Sequence, residues 1–157
     1  MSARIGRVIR RNRRLRTVGT RGRFSEARSK ALDDQLRDRL RVLTHGRCEE
    51  CGKRIQGFDS QLSHGFTRKI KALRWDRLNV VLSCGQCHWR RNNAPATVGE
   101  TLRRLLGDAG YDELVRRWQR KTSVRELDYA QIQAYIATIQ ELGKYPVIPA
   151  PLWELGK

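Results

Sequence analysis

The sequence predicts an α+β fold in which a metal-stapled segment sits between helical flanks. Three observations predict it. Apolar residues recur at helical spacing over residues 25–43 and again beyond residue 97. Residues 47–93 lose that periodicity and become rich in Cys, His, Gly and Asn. That middle segment begins Cys48-Glu49-Glu50-Cys51-Gly52 and closes Cys84-Gly85-Gln86-Cys87-His88, and these two runs hold all 4 cysteines of the chain.

Length and charge bound the partners. The 157 residues suit one small domain with appendages, and 39% hydrophobic residues suffice for a modest core. No apolar run approaches a membrane span; Val80-Val81-Leu82 is typical of the longest. The first residues show no apolar stretch after their cations, so no secretory signal is expected and a reducing cytoplasm is the expected compartment. The net charge is +17. Residues 1–30 hold eleven Lys+Arg against the single acid Glu26. Ten of those cations are Arg, whose planar fork pairs with phosphate, so the expected partner is a nucleic acid.

Five stretches follow in order. Residues 1–24, with Arg10, Arg11, Arg13 and Arg14, have too little apolar area to fold alone and read as a basic arm that orders on a polyanion. Within residues 25–46 a helix runs from Ser25 to Leu43. Ala31, Leu32, Leu36, Leu40 and Leu43 form its stripe, and Asp33, Asp34, Arg37, Asp38, Arg39 and Arg41 form a solvated face. His45-Gly46 ends it. Residues 47–95 carry the cysteines, with Pro95 as boundary.

Residues 96–143 are helical again. Thr97 and Glu100 read as a capping box ahead of Leu102, Leu105 and Leu106, and Gly107 and Gly110 stop that helix. Residues 111–120 form a short helix with Leu114, Val115 and Trp118 inward. Asp128 caps a last helix reaching about Leu142, with Ile132, Tyr135, Ile136 and Ile139 inward and Gly143 behind it. The tail, 144–157, is extended by Pro146, Pro149 and Pro151 and could dock through Trp153 and Leu155.

Two Cys-x2-Cys turns, Cys48/Cys51 and Cys84/Cys87, make a tetrahedral four-thiolate site, the closed geometry of structural Zn2+. Cys84–His88 also spells the haem-attachment pattern. Haem would require export and an axial partner, and would leave the other cysteine pair unexplained, so zinc is the expectation.

Beside the knuckles stand His64, Asn79 and His88. With Cys-x2-Cys on either side, this pattern over residues 47–93 resembles the HNH nucleases, whose fold is a zinc-clamped ββα-metal core. The resemblance implies that His64 is a general base on water, that Asn79 orients its imidazole, and that His88 ligates a catalytic Mg2+ or Mn2+. That family often has a further ligand before the base and another four residues after the last His. These positions are Ser63 and Asn92 here, and Asn92 shares a helical face with His88. Asp76 is expected to cap a turn before Asn79, over a core of Trp75 and Leu78.

Several runs resemble one HNH subgroup more narrowly, the lambdoid-phage NinG (Rap) recombination endonucleases. They are Ser63-His64-Gly65-Phe66, Leu73-Arg74-Trp75-Asp76 leading to Asn79-Val80, Cys84-x2-Cys87-His88, and Tyr111-Asp112-Glu113-Leu114. That resemblance implies a structure-selective enzyme on branched DNA, in the host cytoplasm if phage-encoded, with a homodimer through the C-terminal helices as an option. Arg68, Lys69, Lys71, Arg90 and Arg91 are the expected phosphate clamps near the cut. Two alternatives remain at this point. One is a non-catalytic zinc protein that binds nucleic acid, for example in a ribonucleoprotein. The other is a sequence-specific homing or restriction-type HNH nuclease.

Overall fold

Ser25 opens the first helix, α1 (Glu26–Leu43), by accepting the Arg28 amide at 3.2 Å. The computed structural model describes residues 25–120, 128–139, 150, 151 and 154. The basic arm with Arg10, Arg11, Arg13 and Arg14, the expected helix end at Leu142 and Gly143, Pro146 and Pro149, and Trp153 and Leu155 all lie outside the described residues. The stripe of α1 is read correctly at its centre: Leu32, Leu36 and Leu40 are fully buried. The helix ends where His45 and Gly46 turn to positive φ and the Gly46 amide returns to Arg41 O at 2.8 Å.

A cysteine knuckle follows, and then a two-stranded antiparallel ribbon. Strand β1 (Ser60–His64) pairs with β2 (Val80–Cys84), setting Leu62 opposite Leu82, Ser63 opposite Val81 and His64 opposite Val80. A lone ribbon is marginal in water, so its faces must be covered. Helices cover both. Leu62, Val80 and Leu82 join Leu32, Leu36 and Leu40 of α1 and Ile132, Tyr135 and Ile136 of α5 (Tyr129–Thr138) in one core. Val81 joins Leu78 and Leu102, Leu106 and Leu114 of α4 (Val98–Arg120) in a second. Every residue of β2 is therefore buried, which explains its continuous apolar run. The short α2 (Lys71–Arg74) lies between the strands, and α3 (Gly85–Asn93) leaves β2 directly at Cys84. The architecture is thus α+β. Among the described residues no helix is long and apolar enough to cross a membrane.

Four expectations are corrected here. The capping box at Thr97 does not form: after the 3-10 turn Pro95–Thr97 its hydroxyl donates instead to Ala94 O at 2.8 Å. Gly107 breaks α4 (φ 69, ψ 171), but Gly110 does not; it lies buried within the resumed helix, where a side chain would press on Leu106. Trp118 is not inward. It stays 36% exposed and stacks on Phe66 at 5.3 Å, while Arg117 takes the inner position. Asp33 is no solvated charge either: it accepts Arg74 Nη2 (2.6 Å) and Nε (3.1 Å) and Trp75 Nε1 (2.9 Å), tying α1 to α2.

Two ion pairs fix the turn ahead of β2. Asp76, fully buried, accepts Arg117 Nη1 at 2.8 and 3.0 Å and caps the Leu78 amide at 2.9 Å, as its turn position predicts. Burial pushes the Asp76 carboxyl up, and Arg117 draws it only part of the way back. Arg77 pairs with Glu49 of the first knuckle and donates to Val80 O at 2.7 Å. The Tyr135 hydroxyl accepts the Arg77 amide at 3.0 Å, joining α5 to the same turn.

Candidate functional site

The candidate metal centre is built from the two knuckles. In the first, the Cys48 amide donates to Lys53 O and the Gly52 amide to Cys48 O, both at 2.8 Å; Gly52 takes a φ of 74° that suits glycine. The second lies at the joint of β2 and α3. Asp59 accepts the Gly85 amide at 3.0 Å there and occupies the space a larger residue would fill. The four Sγ atoms of Cys48, Cys51, Cys84 and Cys87 all lie within 4.8 Å of one another, and Cys51 and Cys84 are 3.9 Å apart. A tetrahedral zinc with bonds of about 2.3 Å needs sulfurs about 3.8 Å apart, so these residues fit the ion. Burial pushes the Cys48 and Cys87 thiols up. Burial acts on Cys51 too, but the Lys53 amide and the neighbouring thiols outweigh it and its thiol falls. A cation at the centre would draw the proton from all four.

The histidines flank the end of β1. His64 Nε2 lies 3.0 Å from the Arg74 carbonyl. A carbonyl only accepts, so Nε2 carries the proton and Nδ1 keeps its lone pair. Burial above all, with the charges of Arg74 and Arg68, outweighs the pull of the Arg74 carbonyl and Asp33 and lowers the His64 pKa to about 4. The ring is therefore neutral at pH 7. His88 lies on α3, with Nδ1 2.9 Å from Ser63 Oγ. Its pKa is lowered by burial, then by Arg91 and Arg68, against Glu50. Arg68 thus bears on both imidazoles, and no hydrogen bond joins the two rings.

Asn79 does not hold the imidazole. Its Nδ2 donates to Leu73 O (2.9 Å) and Phe66 O (3.2 Å), and its Oδ1 accepts the Phe66 amide (2.6 Å). It staples the loop whose next residue, Arg74, holds His64. Gly65 lies beside it, and a side chain there would have to displace a methyl of Leu102. Asn92 is exposed on α3.

The basic residues divide. Arg68, Lys69 and Arg90 are exposed, as phosphate clamps must be. Lys71 is exposed but donates to Ser29 Oγ at 3.2 Å and lies over the Trp75 ring. Arg91 is not a clamp: it is 6% exposed and its guanidinium lies 3.5 Å from Glu50. One helical turn from Cys87, it falls on the buried face of α3. No family model matches the chain, and no curated protein or solved structure matches it.

Sequence reasoning missed Glu50, which accepts the Ser83 hydroxyl, pairs with Arg91 and bears on His88. Its signal was two consecutive acids between knuckle cysteines in a strongly cationic chain. The Arg74 carbonyl carried no signal, since any residue supplies one.

Proposed function

We propose that this protein is a zinc-stapled HNH-type endonuclease that hydrolyses phosphodiester bonds in DNA, with a preference for branched DNA. The observation that carries the reading is His64: a neutral imidazole whose one proton is committed to a backbone carbonyl, leaving Nδ1 as an acceptor one residue along β1 from Ser63, the partner of His88. In this reading His64 Nδ1 takes the proton of a water as its oxygen bonds to phosphorus. The P–O3′ bond then breaks, and the 3′ oxygen is protonated from solvent. A ring that holds its proton weakly binds it more firmly once a phosphate anion lies beside it, which suits transfer in the transition state.

His88 Nδ1 lies 2.9 Å from Ser63 Oγ; in this reading the ring takes the tautomer that donates Nδ1–H to the hydroxyl, so that Nε2 would serve as the metal ligand and Ser63 would orient it. Mg2+ or Mn2+, when bound, supplies positive charge at the phosphate and the leaving oxygen. His88, with Asn92 one turn on, would hold the ion, and the substrate phosphate would bind against it. Arg68, Lys69 and Arg90 hold flanking phosphates.

One observation favours the non-catalytic alternative: among the described residues the four cysteines are the only group of three or more His, Cys, Asp or Glu side chains able to hold a metal. Incubation of the zinc-loaded protein with junctions and linear duplexes of equal sequence, with Mg2+ or Mn2+, separates the readings. Cutting of junctions that His64→Ala abolishes supports the nuclease. Binding without cutting under every condition supports the alternative, and a fixed cut sequence in linear duplex supports a homing-type enzyme.

A further inference from the structure

Helix α3 carries a second feature next to His88 that the reading above does not use. Trp89 is 66% exposed, and Phe58 is fully exposed. They are the most exposed aromatic residues among those described. Leaving two large apolar rings in water forgoes burial energy that both cores show the fold can collect.

Their placement is not random. Gly85 and Trp89 are one turn apart on one face of α3. Asp59 rests on Gly85, so the residue before it, Phe58, is delivered to the N-terminal end of that face. The backbone carbonyl of Trp89 accepts Asn93 Nδ2 at 2.8 Å, closing the last turn of the helix beneath the ring. Arg90 follows Trp89 and is exposed, and the charge of Arg68 is felt at His88 on the same helix.

We infer that Trp89 is a stacking platform for an unpaired DNA base adjacent to the phosphate at His88. The partner follows from charge: an exposed indole next to an exposed Arg90, in a chain of net charge +17, matches a single-stranded polyanion whose bases offer π-faces. A paired base is stacked on its neighbours and cannot reach the ring. The platform therefore selects DNA with splayed or unpaired nucleotides, through shape and without base-specific hydrogen bonds. The inference rests on the DNA-binding half of the function proposed above and does not need the hydrolytic half.

The test is binding by the full, zinc-loaded chain without added divalent cation, so that no cutting interferes. Fluorescence anisotropy compares a labelled DNA single strand, the same strand in perfect duplex, and the same strand carrying an abasic site. Loss of one base–aromatic stack weakens binding about 5- to 150-fold. Trp89→Ala is expected to lose that factor on the single strand and less than about 2-fold on the duplex, while Trp89→Phe keeps most of the affinity. The abasic strand should bind wild type more weakly and add no further loss to Trp89→Ala. Trp89 is exposed, so its removal leaves the fold intact; zinc content and melting temperature confirm that. Equal losses on both DNAs, or no loss, overturn the platform while leaving DNA binding in place. Failure of wild type to bind any of the three overturns the nucleic-acid reading itself.

Discussion

Asn79→Ala separates a residue that supports the loop from one that acts on the histidine ring. Asn79 is fully buried and makes three hydrogen bonds, to Leu73 O, Phe66 O and the Phe66 amide. Alanine removes all three and strands two carbonyls and one N–H away from water. At about 0.5–1.5 kcal/mol net for each bond, the loss is about 2–4 kcal/mol. With a urea slope of about 2 kcal/mol/M, the unfolding midpoint falls by about 1–2 M. Asn79→Asp keeps an acceptor for Phe66 but turns a carboxylate oxygen onto the two carbonyls, so at neutral pH its cost is at least as large. Urea unfolding followed by circular dichroism, with zinc saturating, measures both. A midpoint within error of wild type for Asn79→Ala would refute the reasoning, since a group that only oriented the imidazole could be lost without loss of stability.

Further outcomes are expected elsewhere. Native mass spectrometry should find one zinc per chain, and chelation or Cys84→Ser should abolish cooperative unfolding, because two strands and small cores lean on the metal. The His64 pKa of about 4, against an ordinary 6.5, means that the folded chain binds fewer protons than the unfolded chain between those values. Stability is then fully present above pH 6.5 and falls as pH drops toward 4, by up to about 3 kcal/mol from this group. The His64 C2–H resonance should not titrate above pH 5, and His64→Gln should flatten the stability profile. Arg117→Met, which leaves Asp76 buried without its cation, should cost about 3–5 kcal/mol, and adding Asp76→Asn should recover part of that. Arg90→Gln should lower DNA affinity and its salt slope by about one, whereas Arg91→Gln should lower stability and leave the slope alone.

Much of this was legible in the residues, for identifiable reasons. Cys-x2-Cys spacing is local geometry, and the four sulfurs converge as it requires. The stripe Leu32, Leu36 and Leu40 and the cap at Asp128 follow helical periods and capping chemistry that act within one turn. Misreadings arose where a distant partner decided. Asp33 looked solvated until α2 brought Arg74 and Trp75 to it. Trp118 lost the inner position to Arg117 because a buried Asp76 waited there. Pro95 tightened the turn ahead of Thr97 and diverted its hydroxyl. Arg91 was recoverable: the step of four from Cys87 marks it as inward, against its neighbour Arg90. The support of His64 by a backbone carbonyl was not recoverable, because side-chain identity does not encode it.

The most direct measurement is the single-turnover rate of phosphodiester cleavage on a branched DNA by zinc-loaded wild type and by His64→Ala, with saturating Mn2+ at pH 7. Removal of a general base should slow the step by about 10²–10⁴-fold with DNA affinity unchanged. Equal rates for the two proteins, or no cleavage by wild type, would contradict a role for His64 in hydrolysis.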